Sequence, residues 1–343
     1  MYKNKTIGVV VPAYNEKGLV SDVIETLPGF VDRIYVVDDC STDGTWQEIR
    51  ETIQEENPED PGGKKKKIHG DGGQLLADRA ISIRHDQNRG VGAAIKTGYR
   101  RAREDGIDVT AVVNGDGQMD PTILHRIIDP VVEGNVDYAK GNRLSRSDHR
   151  KQMSAWRLFG NSILSFLTKV SSGYWQISDP QNGYTAISSH ALAVVDIDSL
   201  HDDYGFLNDL LVALNVHRMR VTDVWMESKY GDEESHIRYS RFIPMLSGLL
   251  VHRMLWRFKT KYVVMEFHPL ILLYALGSIG ICSGLTYAGW VALASTPTPL
   301  DGILSLLTLL ISGLCITLAM IFDRSNSKPL ERNVNERLPD IER

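Results

Sequence analysis

Thr6-Ile-Gly-Val-Val-Val-Pro-Ala-Tyr-Asn-Glu16 is a β-branched run that stops at Pro12 and turns polar. Such residues favour a buried strand. The pattern recurs. Arg33–Val37 ends at Asp38-Asp39, Ala80–Arg84 is a third short run, Val109–Val113 ends at Asn114-Gly115-Asp116, and Asp137–Lys140 is a fifth. Between them, Val20–Leu27 and Gly92–Glu104 carry helical spacing. Strands alternating with helices predict an α/β fold, a mostly parallel, doubly wound sheet with helices on both faces. Ligands of such sheets bind beyond the carboxyl ends of the strands. Pro12–Glu16, Asp38–Asp43 and Asn114–Gln118 are therefore expected to face one crevice.

The rest of the chain divides sharply. Of 343 residues, 43% are hydrophobic and 24% charged, but Pro269–Phe322 is almost wholly apolar. A net charge of −5 argues against a nucleic-acid partner. The three cysteines, Cys40, Cys282 and Cys315, form no disulfide framework and suit a reducing compartment. Met1–Lys5 is polar and Ile7–Val11 is too short for a signal peptide, so the N-terminal half is expected in the cytoplasm. Residues 57–73, rich in Pro, Gly, Asp and Lys, read as a flexible insertion.

Residues 269–294 and 303–322 lack charge, and each supplies the roughly 20 apolar residues needed to cross a hydrocarbon core. With the helix-breaking connector 297–302 they predict a transmembrane hairpin. Arg241, Arg253, Arg257, Lys259 and Lys261 precede the first span; Arg324, Lys328, Arg332 and Arg337 follow the second; the connector has no Lys or Arg. By the positive-inside rule both ends lie in the cytoplasm. Residues 240–268 form a juxtamembrane amphipathic segment. In it, Phe242–Phe258 suits an interfacial helix with His252, Arg253 and Arg257 near lipid headgroups. Residues 323–343 read as a cytosolic tail, and 1–239 as the catalytic domain.

The polar clusters carry the chemistry. In Val36-Val-Asp-Asp-Cys-Ser-Thr-Asp-Gly-Thr45, Ser41 or Thr42 can cap a helix. The paired Asp38 and Asp39 exceed what a turn needs, and a carboxylate there can accept from a base N–H or a ribose hydroxyl. In Asn114-Gly-Asp-Gly-Gln-Met-Asp-Pro121, acidic and amide oxygens alternate after a strand, which suits Mg²⁺ or Mn²⁺ completed by a diphosphate.

Taken in this order, the three clusters resemble the inverting nucleotide-sugar glycosyltransferases of family 2, which have the GT-A (Rossmann-like) fold. The dolichyl-phosphate mannose and glucose synthases are the most similar group. The resemblance covers about residues 6–239, and the hairpin matches anchored members. It implies that Pro12, Ala13, Tyr14 and Glu16 line the nucleotide pocket. Asp38 or Asp39 takes the base, and Gly90 and Gly92 in Asn88-Arg-Gly-Val-Gly-Ala-Ala94 lie beside the nucleotide. Asn114, Asp116 and Gln118 match the family's Asp-x-Asp-x-Gln metal motif with asparagine first. Arg143, in Lys140-Gly-Asn-Arg143, matches an arginine that contacts the acceptor phosphate, with Arg157 as the second and Arg150 as its rival. Asp179, in Asp179-Pro-Gln-Asn-Gly-Tyr184, matches a segment beside the acceptor. Asn208 or Asp209 sits where many members carry an acidic motif, and His236, Arg238 and Tyr239 could reach the diphosphate.

The resemblance implies transfer of a hexose from a nucleotide sugar to dolichyl or polyprenyl phosphate at a membrane. Asp116 serves the leaving group, Arg143 and Arg157 hold the acceptor, and Asp179 orients the nucleophile, with proton removal as its alternative role. UDP-glucose, GDP-mannose and UDP-N-acetylglucosamine all fit as donors. The departure at Asn114 favours a UDP-sugar. A processive polysaccharide synthase is the alternative enzyme, but Gln152-Met-Ser-Ala-Trp156 does not match the Gln-x-x-Arg-Trp motif of those enzymes. Asn114 also suits a catalytically inactive nucleotide-sugar-binding membrane protein.

Overall fold

The computed structural model describes residues 1–53, 76–143, 155–226, 239–293 and 298–332. The 57–73 insertion, Arg150, His236 and Arg238 lie outside them, as do the side chains of Arg157 and Tyr239.

The elements run β1 (Ile7–Ala13), α1 (Val20–Thr26), β2 (Arg33–Asp38), α2 (Thr45–Ile53), α3 (Leu76–Arg79), β3 (Ala80–Arg84), α4 (Val91–Glu104), β4 (Val109–Val112), α5 (Leu124–Val132) and β5 (Tyr138–Asn142). They continue with α6 (Ala155–Ser172), β6 (Thr185–Ser188), α7 (Ser189–Val194), α8 (Phe206–Val216), β7 (Val221–Trp225), α9 (Tyr239–Lys259), α10 (Leu270–Leu293), α11 (Pro299–Ser327) and β8 (Glu331–Arg332). All five expected strands form. β1 runs past Pro12 to Ala13, where the Pro12 carbonyl still accepts from the Gly115 amide at 3.0 Å.

The strands build one sheet in the order β3-β2-β1-β4-β6-β5-β7-β8. Only β6 runs against its neighbours, β4 and β5; the other pairings are parallel. Alternation along β1 sends Ile7, Val9 and Val11 to a core under α1, α2 and α5. Val10 faces a second core under α4, α7 and α8. Helices thus cover both faces.

α10 and α11 are each long and apolar enough to cross a membrane, and only 17% of either apolar window is buried. A core helix of a soluble protein would be covered. Here Leu276, Ile279, Leu310 and Ile321 all stand in the open. The two helices approach closely because α10 offers glycines to its partner. A Cβ on Gly280 would lie 2.1 Å from the Ser312 hydroxyl oxygen, and one on Gly277 would lie 2.6 Å from Ile316. Small residues at such a seam let helices associate in lipid.

The base of this hairpin is locked to the sheet domain. Arg257 of α9 donates from both terminal nitrogens to Asp323 of α11, at 2.9 Å each, and one nitrogen also reaches the Val170 carbonyl of α6. Tyr262 donates to Asp323 as well. Lys261 donates to Asn215 of α8 at 2.6 Å, and Asn215 donates to Ser327 at 3.2 Å. Beyond α11, Glu331 and Arg332 pair in parallel with Val221 and Thr222 of β7.

Two expectations change here. Residues 323–332, read as the start of a tail, continue α11 and then add an edge strand. Arg257, read as a headgroup contact, is fully buried against Asp323. Arg253 is likewise engaged, with Asp209 of α8. One face of α9 packs on α6 and α8 through Phe242, Leu246 and Leu250. The opposite face shows Met245, Val251, His252, Leu255 and Lys259.

Candidate functional site

The carboxyl ends of β2, β1 and β4 adjoin, as the parallel register requires. Hydrogen bonds knit their polar segments together. The Asn15 amide donates to Ser41 Oγ at 2.9 Å, the Thr42 amide donates to Asn15 Oδ1 at 2.9 Å, and the Glu16 amide donates to Thr45 Oγ1 at 2.8 Å. Asp43, rather than Ser41 or Thr42, caps α2 by accepting from the Thr45 amide at 3.0 Å. Ser41 and Thr42 instead join the two loops. Tyr14 is exposed at the crevice edge, while Pro12 and Ala13 are buried beneath it.

The two aspartates after β2 have different surroundings. Asp39 is buried and accepts from His85 Nδ1 at 2.7 Å and from the amides of Arg89 and Gly90, the latter at 2.7 Å. It therefore fixes the loop into α4. Asp38 is also buried, but faces Arg84, whose Nε stands 3.1 Å away and whose guanidinium lies 5.6 Å over the Trp46 ring. The strand-end rule locates Arg84 and His85 here, because β3 is parallel to β2; the sequence reading used Ala80–Arg84 only as a strand.

Gly90 and Gly92 are needed for close approach. Gly90 has φ +96°, and a Cβ on either would come 2.7 Å from a backbone oxygen in the His201–Asp202 segment. The Ala93 amide donates to the Asp202 carbonyl at 2.8 Å. Their bare faces thus meet another loop.

At the end of β4, Gly115 is pressed against Pro12 and Ala13. The Gln118 amide donates to Asp116 Oδ1 at 3.0 Å, which shapes the turn. Asn114 Oδ1 is buried and has no hydrogen-bond partner. An orphaned acceptor beside a carboxylate fits a hard cation. Among the described residues no group of three or more His, Cys, Asp or Glu could hold a metal alone. A divalent ion here would therefore draw further oxygens from a bound diphosphate, which is the usual habit of Mg²⁺.

The second half of the site lies across β6. Arg143, just past β5, donates from Nε to Asp179 Oδ2 at 2.8 Å and from Nη2 to Oδ1 at 3.2 Å. Burial works against the Asp179 charge, but the hydrogen bonds and charge of Arg143, aided by Lys140, hold the carboxyl below its usual range. Asp179 is therefore a carboxylate at neutral pH and a poor proton acceptor. This turn touches the Asn114 segment: the Tyr184 hydroxyl donates to the Asp120 carbonyl at 3.0 Å, and a Cβ on Gly183 would lie 3.3 Å from the Asn114 amide group. Asn208 donates to Thr168, and Asp209 pairs with Arg253 and accepts from the His201 amide. Both hold helices together.

The Glycosyl transferase family 2 model matches residues 8–196, more than half of the chain. The chain belongs to glycosyl transferase family 2. A UDP-N-acetylglucosamine–dolichyl-phosphate N-acetylglucosaminyltransferase of Methanococcus voltae is 29% identical over 67% of this chain and 88% of its own length. An undecaprenyl-phosphate mannosyltransferase of Micrococcus luteus is 26% identical over 66% of this chain and 85% of its own. A dolichol-phosphate mannosyltransferase of Pyrococcus furiosus is 25% identical over 57% of this chain and 49% of its own. Among solved structures, glucosyl-3-phosphoglycerate synthase from Mycobacterium tuberculosis is 18% identical, with a TM-score of 0.48, over 74% of this chain and 80% of its own. The crevice at the β1, β2 and β4 ends and the Arg143–Asp179 turn both lie within the residues matched by the family model. Asp223, Arg253 and the hairpin lie beyond the residues matched by the family model.

Proposed function

We propose that this enzyme transfers a sugar from a nucleotide sugar to a polyprenyl (dolichyl) phosphate at the cytoplasmic face of a membrane, with inversion at the anomeric carbon. The observation that carries the reading is the Arg143–Asp179 pair. It holds a planar, permanently charged guanidinium against the 179–184 turn, which itself touches the Asn114–Asp120 segment, in a domain joined to two apolar helices. Guanidinium matches phosphate in charge and geometry. The names of the relatives support a lipid-phosphate acceptor.

In this reading the acceptor phosphate oxygen attacks in line and the nucleoside diphosphate departs. Phosphate is anionic at neutral pH, so positioning and charge stabilisation suffice, without a strong base. This matches an Asp179 held ionised: it aims Arg143 and takes no proton. Tyr14 and the buried Asp38 with Arg84 and Trp46 hold the base. Asn114, Asp116 and Gln118 would hold Mg²⁺ or Mn²⁺, which would screen charge on the leaving diphosphate. Arg157 is proposed as a second acceptor contact. The exposed apolar face of α9 lies on the bilayer, with the connector between α10 and α11 on the far side. The donor is a UDP-sugar; the relatives' names divide between N-acetylglucosamine and mannose, so both are tested.

The experiment is label transfer from UDP-N-acetylglucosamine, UDP-glucose and GDP-mannose to extractable lipid, by the full chain with Mn²⁺ and polyprenyl phosphate. A UDP-sugar is expected to give labelled lipid, and Asp116→Ala to abolish it. Tight UDP binding with no transfer from any donor would favour an inactive nucleotide-sugar-binding protein.

A further inference from the structure

The second half of the site contains a buried charge pair that no part of this mechanism uses. Lys140 of β5 and Asp223 of β7 are register neighbours on adjacent parallel strands, with Nζ 3.2 Å from Oδ1. The Lys140 side chain is 1% exposed and that of Asp223 12%. Burying two charges is costly, and an apolar pair of similar size would fill the space with no less stability. What the charges do for their surroundings therefore matters more than their mutual attraction.

Their other bonds converge on two residues. Lys140 Nζ donates to the Ser178 carbonyl at 2.5 Å, and the Ser178 amide donates to Asp223 Oδ2 at 2.7 Å. Both peptide groups flanking Ser178 are thus held from the sheet. The same Asp223 oxygen accepts from Asn142 Nδ2 at 3.1 Å. Asn142 immediately precedes Arg143, and Ser178 immediately precedes Asp179. One carboxylate oxygen therefore ties together the two backbone positions from which the ion pair springs. Asp179 itself has φ +45°, a left-handed conformation that a non-glycine residue keeps only when its surroundings impose it. The grip on Ser178 holds it from one side, and the Asn182 amide, which donates to the Asp179 carbonyl at 3.1 Å, from the other. The Arg143 amide, 3.3 Å from Asp179 Oδ2, closes the loop of contacts.

We infer that Lys140 and Asp223 are positioning residues for the acceptor: they set the Ser178–Asp179 backbone and, through Asp179, aim the Arg143 guanidinium at the phosphate of the lipid. The inference rests on the lipid-phosphate reading given above. Neither residue touches the acceptor. A pair acting in this way moves acceptor recognition and leaves donor recognition alone, because the bonds described run to the 140–143 and 178–179 segments and not to the crevice at β1, β2 and β4.

The test is Asp223→Asn, nearly isosteric, in the full chain reconstituted in liposomes. Its KM for polyprenyl phosphate is expected to rise about tenfold or more, as sub-ångström to ångström misplacement of a phosphate ligand does. Its KM for the UDP-sugar and its thermal stabilisation by UDP stay at wild-type values. In an Arg143→Ala background the same change adds nothing further, because its effect runs through that arginine. Lys140→Met, which releases the other side of Ser178, gives the same pattern. An unchanged lipid KM in either folded variant overturns the inference, as does a loss that multiplies with that of Arg143→Ala. If neither variant keeps UDP binding, the pair serves the fold at large and the inference falls. A wild-type chain that labels no lipid fails the functional reading itself. A wild-type chain that labels lipid beside an unaffected Asp223→Asn fails only the positioning role.

Discussion

Two bidentate arginine–aspartate pairs differ in their setting: Arg257 meets Asp323 through both terminal nitrogens, Arg143 meets Asp179 through Nε and one terminal nitrogen. At the hairpin base, Arg257 and Asp323 are both fully buried; at the cleft, the Arg143 side chain is 37% exposed while Asp179 is 7% exposed. The first pair also grips a carbonyl of α6 and the hydroxyl of Tyr262, so four segments meet at one point. The second holds one turn against the end of one strand. Burial, not the residue types, separates a fastener from a reading head. A guanidinium sealed on all sides can only hold what surrounds it, whereas one open on a single side, with its plane set by a buried carboxylate, can take an anion from solution or from a membrane surface.

The largest way to break this contrast is Asp323→Ala. It leaves Arg257 buried without its counter-charge, which costs about 3–5 kcal/mol. Thermal unfolding in detergent is expected to shift far below wild type, and a wild-type melting curve would show that the pair fastens nothing. Arg143→Ala comes next. Its stability should fall less than that of Asp323→Ala, because Arg143 is open to water on one side and Lys140 still faces Asp179. Its KM for lipid phosphate should rise by about tenfold or more, which is about 1.4 kcal/mol or more. A rise confined to the KM for nucleotide sugar would move Arg143 to the donor side.

A smaller effect sharpens the fastener. The double change Arg257→Met with Asp323→Leu removes both charges together, and such swaps are neutral or stabilising. Its melting curve is expected near wild type, far above that of Asp323→Ala, and activity should survive. The smallest effect concerns pH. A carboxyl whose folded pKa is depressed keeps its charge above its ordinary value near 4 and loses it only as pH falls further. The activity ratio of wild type to Asp179→Asn should therefore be flat from about pH 8 to pH 5. A ratio that collapses between pH 7 and 5 would mean that Asp179 takes up a proton during turnover.

Much of the crevice was legible because its signals are local. Each of β1, β2 and β4 is a short β-branched run with a polar cluster immediately after it, so strand and crevice positions are read from the same dozen residues. Other strands escaped: Thr185–Ser188 and Val221–Trp225 are short, and Glu331–Arg332 is two charged residues beyond an apolar helix. Lys140 and Asp223 could not be paired from sequence, because 83 positions separate them and only the parallel register of β5 and β7 brings them side by side. Arg257 misled for a related reason. A basic residue near a span usually seeks headgroups, and what overrides this is Asp323, which the hydropathy pattern places at the far end of the second helix. Gly90 and Gly92 were read as lying beside the nucleotide; what presses on them in the structure is the 201–203 backbone, which no local pattern announces.

The edge strand Glu331–Arg332 sets an order of assembly. Residues are made from the amino terminus onward, and a domain usually folds as its segments emerge. Here the outermost strand of the sheet, and the Asp323 that covers Arg257, are synthesised only after both apolar helices. The catalytic domain therefore carries an unfinished margin and an unpaired buried charge until α10 and α11 are in place. A chain in which α11 does not dock on α9 lacks both the carboxylate beside Arg257 and the last strand of its sheet.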